Sequence, residues 1–139
     1  EAEWQHWRHE YQEYGPVIED SVQPIFDAGQ AVIVSQHHQV TAEVALLPTP
    51  GHTPGHVSVR IQSQGEVAII TGDMIHHPCQ IAHPDWSTLA DSDPAIAQLT
   101  RTEFLQRCGD EPVLVIGTHF AAPTAGHIVK DGDAYRLDY

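Results

Sequence analysis

The chain predicts an α+β fold in a single domain over residues 1–139: one mainly antiparallel sheet with helices on one face. Three observations predict it. Short apolar runs bounded by turn residues recur from residue 31 onward, as strands do. Two helix-prone stretches precede them, and one strongly signalled helix interrupts them before the last strands.

Residues 3–14 are helix-prone, with Trp4, Trp7 and Tyr11 spaced to build one apolar face, and Pro16 ends the pattern. A second short helix is expected from about Ser21, lined by Val22, Ile25 and Phe26 and stopped at Gly29. "AVIVS" (31–35) and "VALLP" (44–48) are predicted strands separated by a polar turn. "HVSVRIQ" (56–62) alternates apolar and polar residues like a half-buried strand, and "SQG" supplies a hairpin turn. "EVAIITGD" then reads as a buried strand ending in a loop at Gly72-Asp73.

"DSDPAIAQLTRTEFLQRC" carries the clearest helix signal. Asp93 can cap it, Pro94 suits its first position, and Ile96, Leu99, Phe104 and Leu105 form the expected apolar face. Asp91 is read as a second capping residue. "PVLVIGTHF" is another buried strand, finishing at Gly117-Thr118-His119, and "HIVKDGDAYRLDY" closes as a hairpin around Asp131-Gly132.

Composition narrows the function classes. The formal net charge of −13, from 19 acids against 6 bases, argues against nucleic acid or an anionic membrane as partner. No apolar run is long enough to span a bilayer, and the polar, aromatic opening "EAEWQHWRHEYQEY" is unlike a signal peptide. The one methionine is Met74, so the sequence is expected to begin inside a longer reading frame or after a cleaved tag. Two cysteines, Cys79 and Cys108, make no metal-type pair or disulfide framework, and a reduced cytoplasmic setting is the default expectation. Eleven histidines are the outlier. His6, His9, His37 and His38 lie in polar surroundings and are read as surface residues; His127 is read as structural.

The remaining histidines fall in a pattern. His52 follows the 44–48 strand, Asp73 ends the 66–71 strand, and His119 ends the 113–117 strand. In one sheet those three ends would share a rim, where loops expose side chains that the sheet holds in place. Two imidazoles and a carboxylate are a ligand set for Zn²⁺ or a similar ion, with Mn²⁺ or Fe²⁺ also suited. A glycine stands beside each: Gly51, Gly72 and Gly117.

"TPGHTPGH", then "AIITGD", then "VIGTHF" resembles the metallo-β-lactamase-fold hydrolases, but only the C-terminal half of that αββα sandwich. The stretch "TGDMIHHPCQIAHPDW" and its sequel is most similar to the lactonase and organophosphate-hydrolase-like branch. The resemblance implies that His52 ligates a first metal, Asp73 bridges two metals and His119 ligates the second. His56 is implied to be a strand anchor rather than a ligand. His76, His77 and His83 lie where the family's substrate pocket forms. The implied chemistry is metal-dependent hydrolysis of a lactone, ester or phosphotriester, with no protein nucleophile.

The family's H-x-H-x-D-H motif is absent from these residues; "SQHHQV" and "IHHP" offer adjacent histidines, which point to opposite faces of a strand. The family pattern then leaves each metal two protein ligands, fewer than ordinary zinc sites have. The chain alone is expected to bind metal weakly and to be inactive. A lone half-sandwich would also expose one apolar sheet face, to be covered by a missing half of the same protein, by that half supplied in trans, or, as the preferred expectation, by a partner copy in a homodimer or higher oligomer packed sheet to sheet. The alternative is a non-catalytic oligomeric half-fold that serves as a binding or interaction module.

Overall fold

The structure is a computed structural model that describes residues 1–10 and 16–139, without the side chains of His9 and Glu10. Six strands form one sheet in sequence order: β1 (Val44–Pro48), β2 (Val57–Ser63), β3 (Glu66–Ile70), β4 (Val113–Ile116), β5 (Ala125–Asp131) and β6 (Ala134–Asp138). Every neighbouring pair is antiparallel except β3 with β4, which is parallel. The β2–β3 hairpin turns through Gln64 and Gly65, both with positive φ (52° and 89°), which matches the right-handed twist of the strands. The last hairpin turns at Gly132 (φ 63°) and Asp133, one residue later than expected.

Helices cover one face. Helix α4 (Pro94–Asp110) starts as its sequence dictates, with the Asp93 carboxylate accepting from the amides of Ala95 and Ile96. Its buried stripe is Ala97, Arg101, Phe104, Leu105 and Cys108, not the predicted one. Phe104 and Leu105 are in it, whereas Ile96 and Leu99 face outward at 43% and 57% exposure. The stripe packs with Ile81 of the short helix α3 (Cys79–Ala82) onto Ile69, Val113, Val115, Ile128 and Leu137 of the sheet. Burial pushes the Cys108 thiol up to about 11, so it behaves as a small apolar side chain.

The opposite sheet face is apolar too. Register places Val59, Ile61, Ala68, Ile70, Leu114 and Ile116 on it, and none of the six belongs to the buried cluster that α3 and α4 pack against. The architecture is therefore one sheet with one helical layer.

The N-terminal region departs more from expectation. Helix α1 (Ala2–Glu10) matches the first part of the predicted one, but Tyr11 lies outside the described residues. Trp4 stacks on Phe26 at 4.4 Å instead of entering the main core. One wider π-type turn, Ile18–Val22, runs into α2 (Gln23–Asp27), and Gly29 follows with φ 68°. Residues 31–35 form no strand, because β1 offers its free edge to residues 38–40 instead. Leu46 N–H donates to His38 O (2.9 Å) and Val40 N–H to Val44 O (2.8 Å), so Val32 is left 80% exposed. Among the described residues no helix is long and apolar enough to cross a membrane.

Candidate metal centre

Strands β1, β3 and β4 run in the same direction, so their C-terminal ends meet at one rim. The loop after β1 carries His52, a single 3₁₀ turn after β3 (Gly72–Met74) carries Asp73, and the loop after β4 carries His119. The three expected residues do converge. His119 Nε2 lies 2.8 Å from Asp73 Oδ1, and His52 Nε2 lies 3.5 Å from Asp73 Oδ2. One carboxylate thus faces two imidazoles, one with each oxygen.

The rim is rigid because each loop is tied to a neighbour. Gly51 has φ 127°, and a Cβ there would stand 2.3 Å from the backbone of Ala97, so only glycine lets this loop sit on α4. Asp93 N–H donates to Gly51 O (2.9 Å), Ser92 N–H to His52 O (2.9 Å) and Thr100 Oγ1 to Pro50 O (2.7 Å). From the other side, Gly55 N–H donates to Glu3 Oε1 of α1. The prolines and glycines of "TPGHTPGH" therefore make a turn clamped on both sides.

His56 connects that turn to Asp73. Its Nε2 accepts from Asp73 N–H (2.9 Å), so in the neutral ring the proton sits on Nδ1, which donates to Thr49 O (3.0 Å). Gly72 (φ 60°) permits the approach, since a Cβ would lie 2.7 Å from His56 Nε2. Burial holds the His56 pKa below its ordinary value, helped by the nearby His52 charge and opposed by the Thr49 carbonyl. Burial also works to raise the Asp73 pKa, but the His119 hydrogen bond and the charges of His119, His52 and His56 outweigh it and hold the carboxyl low.

Of the three pocket histidines, the structure brings one into the cluster. His76 lies with its ring centroid 5.0 Å from both His52 and His119, nearly parallel to the latter. It is held by its backbone N–H, which donates to the buried Gln80 Oε1 (2.8 Å), while Gln80 Nε2 donates to Trp86 O. Burial and the charges of His52 and His119 lower its pKa, and its Nδ1 is buried with no hydrogen-bond partner. His77 is exposed and accepts from Cys79 N–H, and His83 stacks on Trp86 at 4.3 Å; both belong to their own loop.

Asp91 is the residue that sequence reasoning misplaced. It caps nothing; Asp93 alone caps α4. Asp91 lies under the rim, its side chain fully buried, with Oδ1 3.4 Å from His52 Nδ1. Its Oδ2 accepts from Ser87 Oγ (2.8 Å), Thr88 N–H (3.3 Å) and Arg101 Nη1 (3.3 Å). Burial would raise its pKa, but the Ser87 and Thr88 hydrogen bonds and Arg101 hold it low. His52, His76 and Asp91 offer donor atoms all within 4.8 Å of one another. A hollow of about 410 Å³ opens beside His52, lined by Trp7, Val17, Ile18, Val22 and Ala90.

Imidazoles and carboxylates gathered at the shared end of three strands are a divalent-cation donor set, and the unpartnered His76 nitrogen is a vacant donor within it. The family model of the metallo-beta-lactamase superfamily matches residues 1–119. The chain belongs to this superfamily. Solved structures of metallo-beta-lactamase-type hydrolases share the fold. They include the hydrolase AbOPH, at TM-score 0.78 and 24% identity over 86% of this chain and 42% of that one. The dizinc quorum-quenching lactonase AidC, solved with the product N-hexanoyl-L-homoserine, matches at TM-score 0.73 and 20% identity over 90% of this chain and 47% of that one. A probable metal-dependent hydrolase from Staphylococcus aureus matches at 0.64 and 23%, over 80% and 41%. The chain thus spans less than half the length of these superfamily members. No curated protein sequence matches it.

Proposed function

We propose that this chain is the C-terminal part of a metal-dependent hydrolase whose whole form acts on a lactone, ester or phosphotriester. His52, Asp73 and His119 are its share of the metal ligands, with Zn²⁺ the first candidate and Mn²⁺ or Fe²⁺ next. One observation carries the reading: the two oxygens of Asp73 face two different imidazoles, at 2.8 and 3.5 Å. A carboxylate divided in this way suits a bridge between two cation positions.

A divalent cation there would supply Lewis acidity toward a carbonyl or phosphoryl oxygen and acidify water. The chain's own residues do the rest. His56 fixes the Asp73 backbone, and through it the carboxylate, by accepting its amide proton. The clamped "TPGHTPGH" turn aims His52, and the apolar hollow beside it suits the non-reacting arm of an ester or lactone. With two free thiols, Cys79 and Cys108, the cytoplasm is the proposed compartment.

The chain alone is proposed to be inactive, since these residues give each cation position two ligands. The test is metal analysis and hydrolysis of lactone, ester and phosphotriester substrates by the purified chain with added Zn²⁺ or Mn²⁺. Weak Zn²⁺ binding without turnover is expected. Two tightly held ions with clear turnover would overturn the inactivity, and no binding at all would remove the metal reading.

A second reading, a non-catalytic oligomeric module, is favoured by the open apolar sheet face. For the chain on its own we propose that two copies pack sheet to sheet across it, in the place that the other half of the sandwich takes in the whole form.

A further inference from the structure

We propose that Asp91 is a positioning residue that fixes His52 as its Nδ1–H tautomer and keeps the Nε2 lone pair turned toward Asp73. The inference deepens the metal reading and rests on it for its purpose, but its core is measurable without any metal.

The argument starts from how the Asp91 carboxylate is divided. Oδ2 is filled by three donors: Ser87 Oγ, Thr88 N–H and Arg101 Nη1. Oδ1 has one neighbour, His52 Nδ1, at 3.4 Å. An ionised carboxylate only accepts, so this contact is a hydrogen bond only when Nδ1 carries the proton. The neutral ring then bears its lone pair on Nε2, the atom 3.5 Å from Asp73 Oδ2. Two acceptors facing each other at that distance suit a cation between them.

The support behind Asp91 is stiff. Arg101 is fully buried in α4, and besides Asp91 it donates through Nε to Pro84 O (2.9 Å) and through Nη1 to Met74 O (3.4 Å). One guanidinium thus ties the loop that leaves Asp73, the loop that carries Asp91, and the helix beneath them. Metal-binding histidines generally pass their second N–H to such a carboxylate, which sets tautomer and ring direction together. The competing use of Asp91 is as a direct ligand with His52 and His76, whose donor atoms lie within 4.8 Å. That use needs His52 Nδ1 deprotonated, so the tautomer separates the two.

The experiment is ¹⁵N NMR of the imidazole nitrogens in the full chain, with His52 assigned by loss of its signals in His52→Asn. Without metal, the expected result is a single Nδ1–H tautomer for His52. An Nε2–H tautomer in the wild type would overturn the proposal. On adding Zn²⁺, the His52 Nε2 signal is expected to shift while Nδ1 stays protonated. Metal bound at Nδ1 would overturn the proposal in favour of Asp91 as ligand. If Zn²⁺ perturbs no histidine, the metal reading fails, while the metal-free tautomer still decides the role of Asp91. Asp91→Ala is expected to give mixed His52 tautomers and Zn²⁺ binding weaker by roughly tenfold or more. A single unchanged tautomer in folded Asp91→Ala would sink the proposal. Should that variant fail to fold, the wild-type spectrum remains decisive.

Discussion

His56 shows how one neutral imidazole holds two loops together. It accepts from Asp73 N–H and donates to Thr49 O, so protonation abolishes the first bond. Its pKa lies below 6.5, so its contribution is present above that value and is lost as pH falls toward the folded-state pKa. His56→Ala strands a partly buried donor and acceptor and is expected to cost roughly 1–3 kcal/mol near neutral pH. The difference in melting temperature between wild type and variant should narrow as pH falls from about 7 to about 5. Relief of charge repulsion acts on both proteins alike, so the gap isolates His56; a gap constant with pH would refute the account. His52, Asp73 and His119 were legible as residues because each ends a strand and sits beside a glycine. Asp91 was not, because its partners lie far along the chain. Beside Asp93-Pro94 it resembles a capping residue, and only the fold brings Arg101 and His52 to it.

At the scale of elements, the rim depends on where α4 begins. Its first turn presents Asp93 N–H to Gly51 O, and its Ala97 backbone closes on Gly51. Asp93→Ala removes a side chain that accepts from two orphan amides and should cost about 1 kcal/mol, read as a lowered melting temperature. Gly51→Ala should cost more, since its Cβ would collide with backbone that cannot step aside; an equal or smaller loss would show that this loop gives way. The helix was legible because its cap, its proline and its length agree. Its buried stripe was not: counting apolar letters selected Ile96 and Leu99, whereas Ala97 and Arg101 face inward. A small residue and a salt-bridged arginine carry no hydrophobic signal. Residues 31–35 failed for a related reason. "AVIVS" has strand propensity, but a strand exists only where an edge is free, and residues 38–40 occupy that of β1.

At the scale of the molecule, a sheet with one helical layer leaves its second face to be covered. Val59, Ile61, Ala68, Ile70, Leu114 and Ile116 lie together on that face without a charge among them, on a chain of net charge −13. A second copy is the occupant proposed, because it presents the same uncharged cluster at the centre of the face, with Glu66, Arg136 and Asp138 at its margins. A two-fold axis lying between the two sheets would let the acidic remainder of each chain stay in solvent. Leu114, at 36% exposure, sits on a central strand of the face, so a charge there would be buried against its own image in the dimer. Light scattering of the wild type at micromolar concentration should therefore report a dimer or larger, and Leu114→Glu should report a monomer. Leu114→Met keeps the apolar surface and should leave the mass unchanged. A wild-type chain that stays monomeric across the micromolar range would refute sheet-to-sheet pairing and leave the face to a partner of different sequence.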